Sequence, residues 1–301
     1  MKIAIIVICH QNSEQLNDLL LALDHPSIDC FVHIDKKASL SSEDIIKREN
    51  VIVLPDNYRV DVQWGKISLI DAEINAIEFA RKKGLYDFFW ICSGQDYIIK
   101  PINHIVSWFN NHKTNDFIQL IESKNHGGHS NNYDKRNELY YPSWMLGNVK
   151  VKRIIKRIYT EITGGYNHTY KWAKRKPISN IRFFFGSEWV CLTNRTITWI
   201  ETYLMSHPEY YNYFKNCSTP DESFFQTLVM NSPYSELRMD YLHYIDWEGC
   251  TNNPNTFTAK DIEKLLESDK LMARKFDLDV DREILHLINK KIGIKNESID
   301  Y

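Results

Sequence analysis

The apolar positions change period along the chain. After Lys2, residues 3–9 form an unbroken apolar run rich in β-branched side chains, the pattern of a strand covered on both faces. Leu16, Leu19, Leu20 and Leu23 follow at helical spacing behind Asn12 or Ser13, either of which suits a helix cap. Residues 30–34 and 50–54 read as further strands. Trp64-Gly65 opens a helix that turns Ile67, Ile70, Ile74 and Ile77 inward, and residues 88–92 make another strand. Strand–helix alternation of this kind predicts an α/β fold with a mostly parallel, helix-flanked, Rossmann-like sheet and a ligand at the carboxyl ends of its strands. Polar residues stand at those ends: His10, Asp35 and Asp96.

The pattern fades over residues 121–147, which are polar and turn-rich. Val151, Ile154, Ile155 and Ile158 then fall at helical spacing with Lys152, Arg153, Lys156 and Arg157 opposite. Such a basic amphipathic helix suits an anionic membrane surface or an anionic acceptor, and a solvated surface helix is the plainer alternative. Lys171, Lys174, Arg175 and Lys176 add to the basic character. In the last third, Gly186-Ser187-Glu188-Trp189 leads into a strand at 190–192, and a helix covers 196–205. Pro220-Asp221-Glu222 opens a helix at 223–230, with acids suited to the positive helix end. A strand at 242–246 and a helix at 258–266 follow. No repeat or long linker interrupts 1–301, which reads as a single domain.

Composition narrows the function only a little. A net charge of −2 gives no reason to expect nucleic acid. An aromatic share of 13% suits carbohydrate sites, although on composition alone an aromatic-rich core is the favoured explanation. The six cysteines form no C-x-x-C pair and mostly sit in apolar runs, so they read as buried free thiols rather than a zinc site. The opening apolar run is too short for a signal-peptide core or a membrane span. These features together predict a cytosolic protein, in peripheral contact with the inner membrane face if the basic helix is used that way.

The nucleotide-loop, nucleophile-elbow and zinc-protease signatures are missing. Asp277, Asp279 and Asp281 resemble a metal-binding string. They lack the glycine and distal glutamate of a calcium loop, and a helix follows directly, so capping is the better reading. The strand at 88–92 ends in Gln95-Asp96, a single carboxylate where many nucleotide-sugar transferases place a metal-binding acid pair. Arg274-Lys275 supplies two adjacent cations, which pair well with a diphosphate.

Six segments in order resemble the core-2/I-branching enzyme family (glycosyltransferase family 14, including protein O-xylosyltransferases). They are His10-Gln11 with Phe31–Lys37, Trp64-Gly65, Trp90–Lys100, Gly186–Trp189, Pro220–Phe225 and Ala273–Phe276. The resemblance implies a GT-A type fold and metal-independent, inverting transfer from a UDP-sugar to a glycan hydroxyl, with N-acetylglucosamine the first donor guess and xylose the second. Residues of about 1–120 would then bind the nucleotide-sugar, and about 121–301 the acceptor and catalytic groups. His10, Asp35, Trp64 and Asp96 would line the UDP-sugar site, and Arg274 and Lys275 would hold the diphosphate. Glu222 matches the family's catalytic glutamate, while Glu188 matches the acid used in the xylosyltransferase branch; Glu222 is preferred as the base. Trp189 and Trp247 are expected on the acceptor side. No metal or other cofactor is expected, and the acceptor would be an oligosaccharide or lipid-linked glycan. Alternatives are a metal-dependent transferase using Asp96 with Asp35, or a non-catalytic sugar- or nucleotide-binding module. The disulfide framework and membrane anchor of the mammalian members are not seen in this sequence.

Overall fold

The computed structural model describes residues 1–121, 133–143, 145–147, 173–250 and 253–294, with helical positions at 151, 154, 155 and 158. Along the chain run β1 (Ile3–Cys9), α1 (Ser13–Ala22), β2 (Ile28–Ile34), β3 (Val51–Val53), α2 (Ser68–Lys83), β4 (Phe88–Ser93), β5 (Asp96–Ile98), α3 (Ile102–Asn111), β6 (Asp116–Phe117) and α4 (Tyr133–Glu138). Then come β7 (Cys191–Thr193), α5 (Asn194–Ser206), α6 (Pro208–Phe214), α7 (Phe224–Met230), β8 (Arg238–Met239), β9 (His243–Ile245), α8 (Ile262–Glu267), β10 (Met272–Arg274) and α9 (Glu283–Ile292).

Seven strands form the central sheet in the order β3-β2-β1-β4-β7-β6-β8. Its first four strands are parallel neighbours, and β7 runs antiparallel between β4 and β6. This is the mostly parallel, helix-flanked sheet that the alternation implied. β1 sits between β2 and β4 with every residue buried. Ile3, Ile5, Val7 and Cys9 enter the layer that includes α1, α3 and α9, while Ala4, Ile6 and Ile8 enter the layer that includes α2, α5 and α7. Period-two alternation therefore feeds two cores from one continuous apolar run. Each such side chain contributes roughly 1.5–3 kcal/mol on burial.

A small sheet, β5-β10-β9, stands beside the main one. Its strands carry Asp96, Arg274 and His243, and the pairing sets Arg274 opposite Asp96. Several sequence boundaries shift. Trp64-Gly65 stays in a loop, with Gly65 at φ +71°, and α2 begins only at Ser68. Pro220–Glu222 is a separate 3-10 turn before α7 rather than its first turn. Asp281 caps α9 by accepting from the Ile284 amide, in line with the capping role given to the acidic string.

Val151, Ile154, Ile155 and Ile158 are helical and exposed. The basic residues 152, 153, 156 and 157, with Lys171, lie outside the described residues. No helix among the described residues is long and apolar enough to cross a membrane. All six cysteines are free, five of them buried.

Candidate active site

The parallel register brings the ends of β1 and β2 together. Asp35 follows β2, donates its amide to the Cys9 carbonyl, and turns its carboxylate to the Lys37 ammonium at 2.8 Å. Lys37 also binds Asp61 at 3.2 Å and the Val62 carbonyl, so one cation ties the strand end to the loop that carries Trp64. His33, fully buried, accepts the Val60 amide on Nε2 at 2.9 Å and fixes the other end of that loop. Trp64 projects from it, 64% exposed. His10 is exposed at the end of β1.

Beyond β4 lies a stacked cation. Asp96 is fully buried, accepting the Ser93 amide on Oδ2 at 2.6 Å and Arg274 on Oδ1 at 2.7 Å. Burial alone would push its carboxyl up, but Arg274 and then His243 beside it hold it below the usual range. The Arg274 guanidinium also binds Ser93 Oγ and lies over the Trp189 ring, 4.4 Å from its centre. Lys275 follows directly. It is half-buried, and its ammonium has no partner among the described residues. The loop bearing Trp247 reaches this pair through Asn255, whose amide binds the Asp246 carbonyl and whose carbonyl accepts the Lys275 amide. Trp247 is 51% exposed.

Glu188, which precedes Trp189, belongs to a corner of carboxylates. The segment 183–189 is pinned to α7: Ser223 Oγ donates to the Phe184 carbonyl, and Gln226 Nε2 donates to the Ser187 carbonyl. Gly186 passes so close to Gln119 that a Cβ would lie 1.9 Å from its carbonyl oxygen, so only glycine fits. Its amide binds the Glu222 carbonyl at 2.9 Å, bringing Glu188 next to the 3-10 turn. Thr219 begins that turn at φ 50° and binds the Gly65 carbonyl, which puts the Trp64 loop alongside. Glu222 pairs with Arg136 from α4, and about 30% of its side chain is exposed. Burial raises its carboxyl, Arg136 opposes the rise and Glu188 adds to it. Asp221 and Glu73 are buried, and both are pushed well above the ordinary range, first by burial and then by Glu188.

Successive contacts therefore link the loop of an exposed aromatic, a salt-bridged carboxylate, a second acid and, through Trp189, a pair of cations. Such a linked set matches the needs of a hydroxyl nucleophile and a polyanionic leaving group. A family model described as "Branch: Core-2/I-Branching enzyme" matches residues 3–267. The chain belongs to this family. Core-2/I-branching enzymes are glycosyltransferases, and the similar curated proteins are xylosyltransferases. Xylosyltransferase 2 of Rattus norvegicus is 24% identical over 96% of this chain and 33% of its own length. A xylosyltransferase of Ciona intestinalis is 25% identical over 92% of this chain and 32% of its own. The chain thus spans about a third of these relatives. Among solved structures, S. aureus TarS aligns with 42% of this chain and 23% of its own, at 17% identity and a TM-score of 0.26, too slight a likeness to argue from.

Within this branching-enzyme chain, Glu188 acts on Glu222 and is followed by Trp189, which lies under Arg274, while the turn before Glu222 binds the loop that carries Trp64, and Asp35 meets the end of β1. Two expectations change. Asp96 is buried with its carboxylate consumed, so it braces Arg274 instead of lining a ligand site. Trp189 is only 5% exposed and covered by Arg274, so it supports the cation and offers no face to an acceptor sugar. Arg136, Asp221 and Glu73 were missed. Glu73 had a signal: it falls on the inward stripe of α2 between Ile70 and Ile77, where an acid needs a reason.

Proposed function

We propose that the chain transfers a sugar from a UDP-sugar to a glycan hydroxyl with inversion and without a metal ion. N-acetylglucosamine is the first donor candidate and xylose the second. The acceptor hydroxyl loses its proton to Glu222, with Glu188 as the alternative base, attacks the anomeric carbon and forms a β-linkage. UDP departs against Lys275 and Arg274, while Asp35 and Trp64 flank the donor.

The observation that carries this reading is the use of Asp96. Its position after β4 is where a metal-binding carboxylate would be sought, yet both of its oxygens already serve Ser93 and Arg274. Positive charge at that point is supplied by a guanidinium fixed from below by a carboxylate and from the side by an indole, with a free ammonium next to it. The raised Glu222 carboxyl supports the base assignment, because a general base works best with its pKa drawn towards the working pH. The exposed apolar positions 151, 154, 155 and 158, interleaved in sequence with Lys152, Arg153, Lys156 and Arg157, support an acceptor held at an anionic membrane face.

The test is UDP release from a series of UDP-sugars, with and without EDTA, for wild type and Lys275→Ala. Release from one donor that survives EDTA and falls on the order of 10²–10³-fold in the variant is the expected result. Release that needs a divalent ion and ignores Lys275 overturns the mechanism.

A further inference from the structure

The first turn of α1 buries an amide that the transfer reading leaves unused. Asn12, the cap of α1 at φ 55°, accepts the Gln15 main-chain amide at 3.0 Å, and the Gln15 side chain turns inward, 2% exposed. Burying a side-chain amide is unfavourable unless its hydrogen bonds are made. Here both ends are used. Gln15 Nε2 donates to the Gly94 carbonyl at 3.1 Å and to the Phe276 carbonyl at 3.0 Å, while Oε1 accepts the Leu278 amide at 3.2 Å. The reversed amide would set its oxygen against two carbonyls, so the partners fix its orientation.

Those partners belong to the two segments that carry the cations and their brace. Gly94 stands in the turn between β4 and β5, just before Asp96, and Phe276 follows Arg274-Lys275 directly. The two segments also meet each other: Arg274 lies opposite Asp96, and the Phe276 amide donates to the Gln95 carbonyl at 2.9 Å. Gln15 joins both to α1, across 79 and 261 positions of sequence. Lys275 depends on this more than Arg274 does. The Arg274 guanidinium is gripped by Asp96, Ser93 and the Trp189 ring. For Lys275 the contacts run through the main chain: its amide binds the Asn255 carbonyl at 3.5 Å, its carbonyl accepts the Phe257 amide at 2.9 Å, and the next carbonyl is held by Gln15.

We propose that Gln15 is a positioning residue for the diphosphate site: its buried amide sets the main chain that follows Lys275 and, through it, the place of the Lys275 ammonium. This rests on the glycosyltransfer reading above, in which Lys275 meets the leaving group. Gln15 itself touches no substrate and exchanges no proton.

Gln15→Met keeps the length and flexibility of the side chain and removes the amide. Hydrogen exchange then reads the clamp without any ligand. The Leu278 amide loses its acceptor, so exchange over 276–278 should quicken at least about tenfold while β1 exchanges as in wild type. Unchanged exchange over 276–278, or quickening shared equally by β1, overturns the proposal. Calorimetric titration with UDP reads the consequence. Gln15→Met should weaken UDP binding about tenfold when Lys275 is present, and less than about twofold when Lys275 is already replaced by alanine. Equal losses in the two backgrounds mean that Gln15 acts on the fold at large and not through Lys275, and they overturn the proposal, as does no loss in either. If Gln15→Met does not fold, Gln15→Asn takes its place, a neutral amide one methylene too short to reach all three partners, judged by the same two measurements. Wild type that binds no UDP, with the exchange effect present, leaves the Gln15 clamp standing and removes the transfer reading.

Discussion

Around His10 and Asp35 the functional positions hang from β1 and β2, seven-residue strands with an unbroken parallel register. Around Glu222 nothing comparable exists. That corner is built from a three-residue turn, a glycine that must pass a carbonyl, a six-residue helix and the clamp of Ser223 and Gln226 that pins segment 183–189 to α7. The first region takes its precision from hydrophobic burial, a cooperative and non-directional force. The second takes it from individual hydrogen bonds, each contributing only about 0.5–1.5 kcal/mol net. Substitutions in the two regions should therefore fail in different ways: burial errors lower stability and spare chemistry, whereas corner errors spare the fold and remove chemistry.

The sharpest form of that contrast is Glu222→Gln. The amide is nearly isosteric and can still contact Arg136, so thermal unfolding should move little. Loss of the base should lower kcat on the order of 10²–10⁴-fold. If Glu188→Gln shows the large drop and Glu222→Gln does not, the base assignment passes to Glu188 and the comparison between regions survives.

A second pair of substitutions tests where Arg274 belongs. Ile5→Ala removes a fully buried side chain from β1 and should cost about 2–5 kcal/mol with turnover per folded molecule unchanged. Arg274→Ala should do both kinds of damage. It removes a cation from the leaving group and takes the ion-pair partner from the buried Asp96 carboxylate, a loss that costs about 3–5 kcal/mol. Lys275→Ala, with no partner to strand, should lose activity alone. Equal stability of the two cation variants in urea unfolding would mean that Asp96 is not braced as the geometry indicates.

This division also explains what could be read from the amino acids. β1, α1, β2, α2 and β4 were legible because periods of 2 and 3.6 average over many residues, and the strand ends followed from them. β5 and β10 were not: three-residue strands carry too little pattern, so the stacking of Arg274 between Asp96 and Trp189 was invisible. Asp96 and Trp189 were assigned to ligands for that reason, since a motif names residues but not which of them support the others. Glu222 and Glu188 were recognisable as segments of a family pattern, yet Arg136 lies in a stretch with little pattern of its own. Asp221 stood within a quoted motif and still gave no sign of being buried.

The smallest effect tests the hinge between the regions. His33 belongs to β2 but holds the Trp64 loop by accepting the Val60 amide. That bond requires a neutral Nε2, and burial first of all pulls the imidazole down from 6.5 to about 4, with Asp35 opposing and Arg59 and Lys36 assisting. The unfolded chain takes up this proton near pH 6.5, while the folded chain refuses it until about 4. Its contribution is therefore complete above the upper value and is lost as pH falls towards the lower one. The raised carboxyls of Asp221 and Glu73 act in the opposite direction, gaining stability as pH falls, so the raw unfolding curve mixes the two. Subtracting His33→Gln from wild type isolates the imidazole, because glutamine retains an acceptor but cannot titrate. The difference in urea midpoint should decline steadily between those two pH values. A flat difference would mean that the imidazole ionises alike in both states.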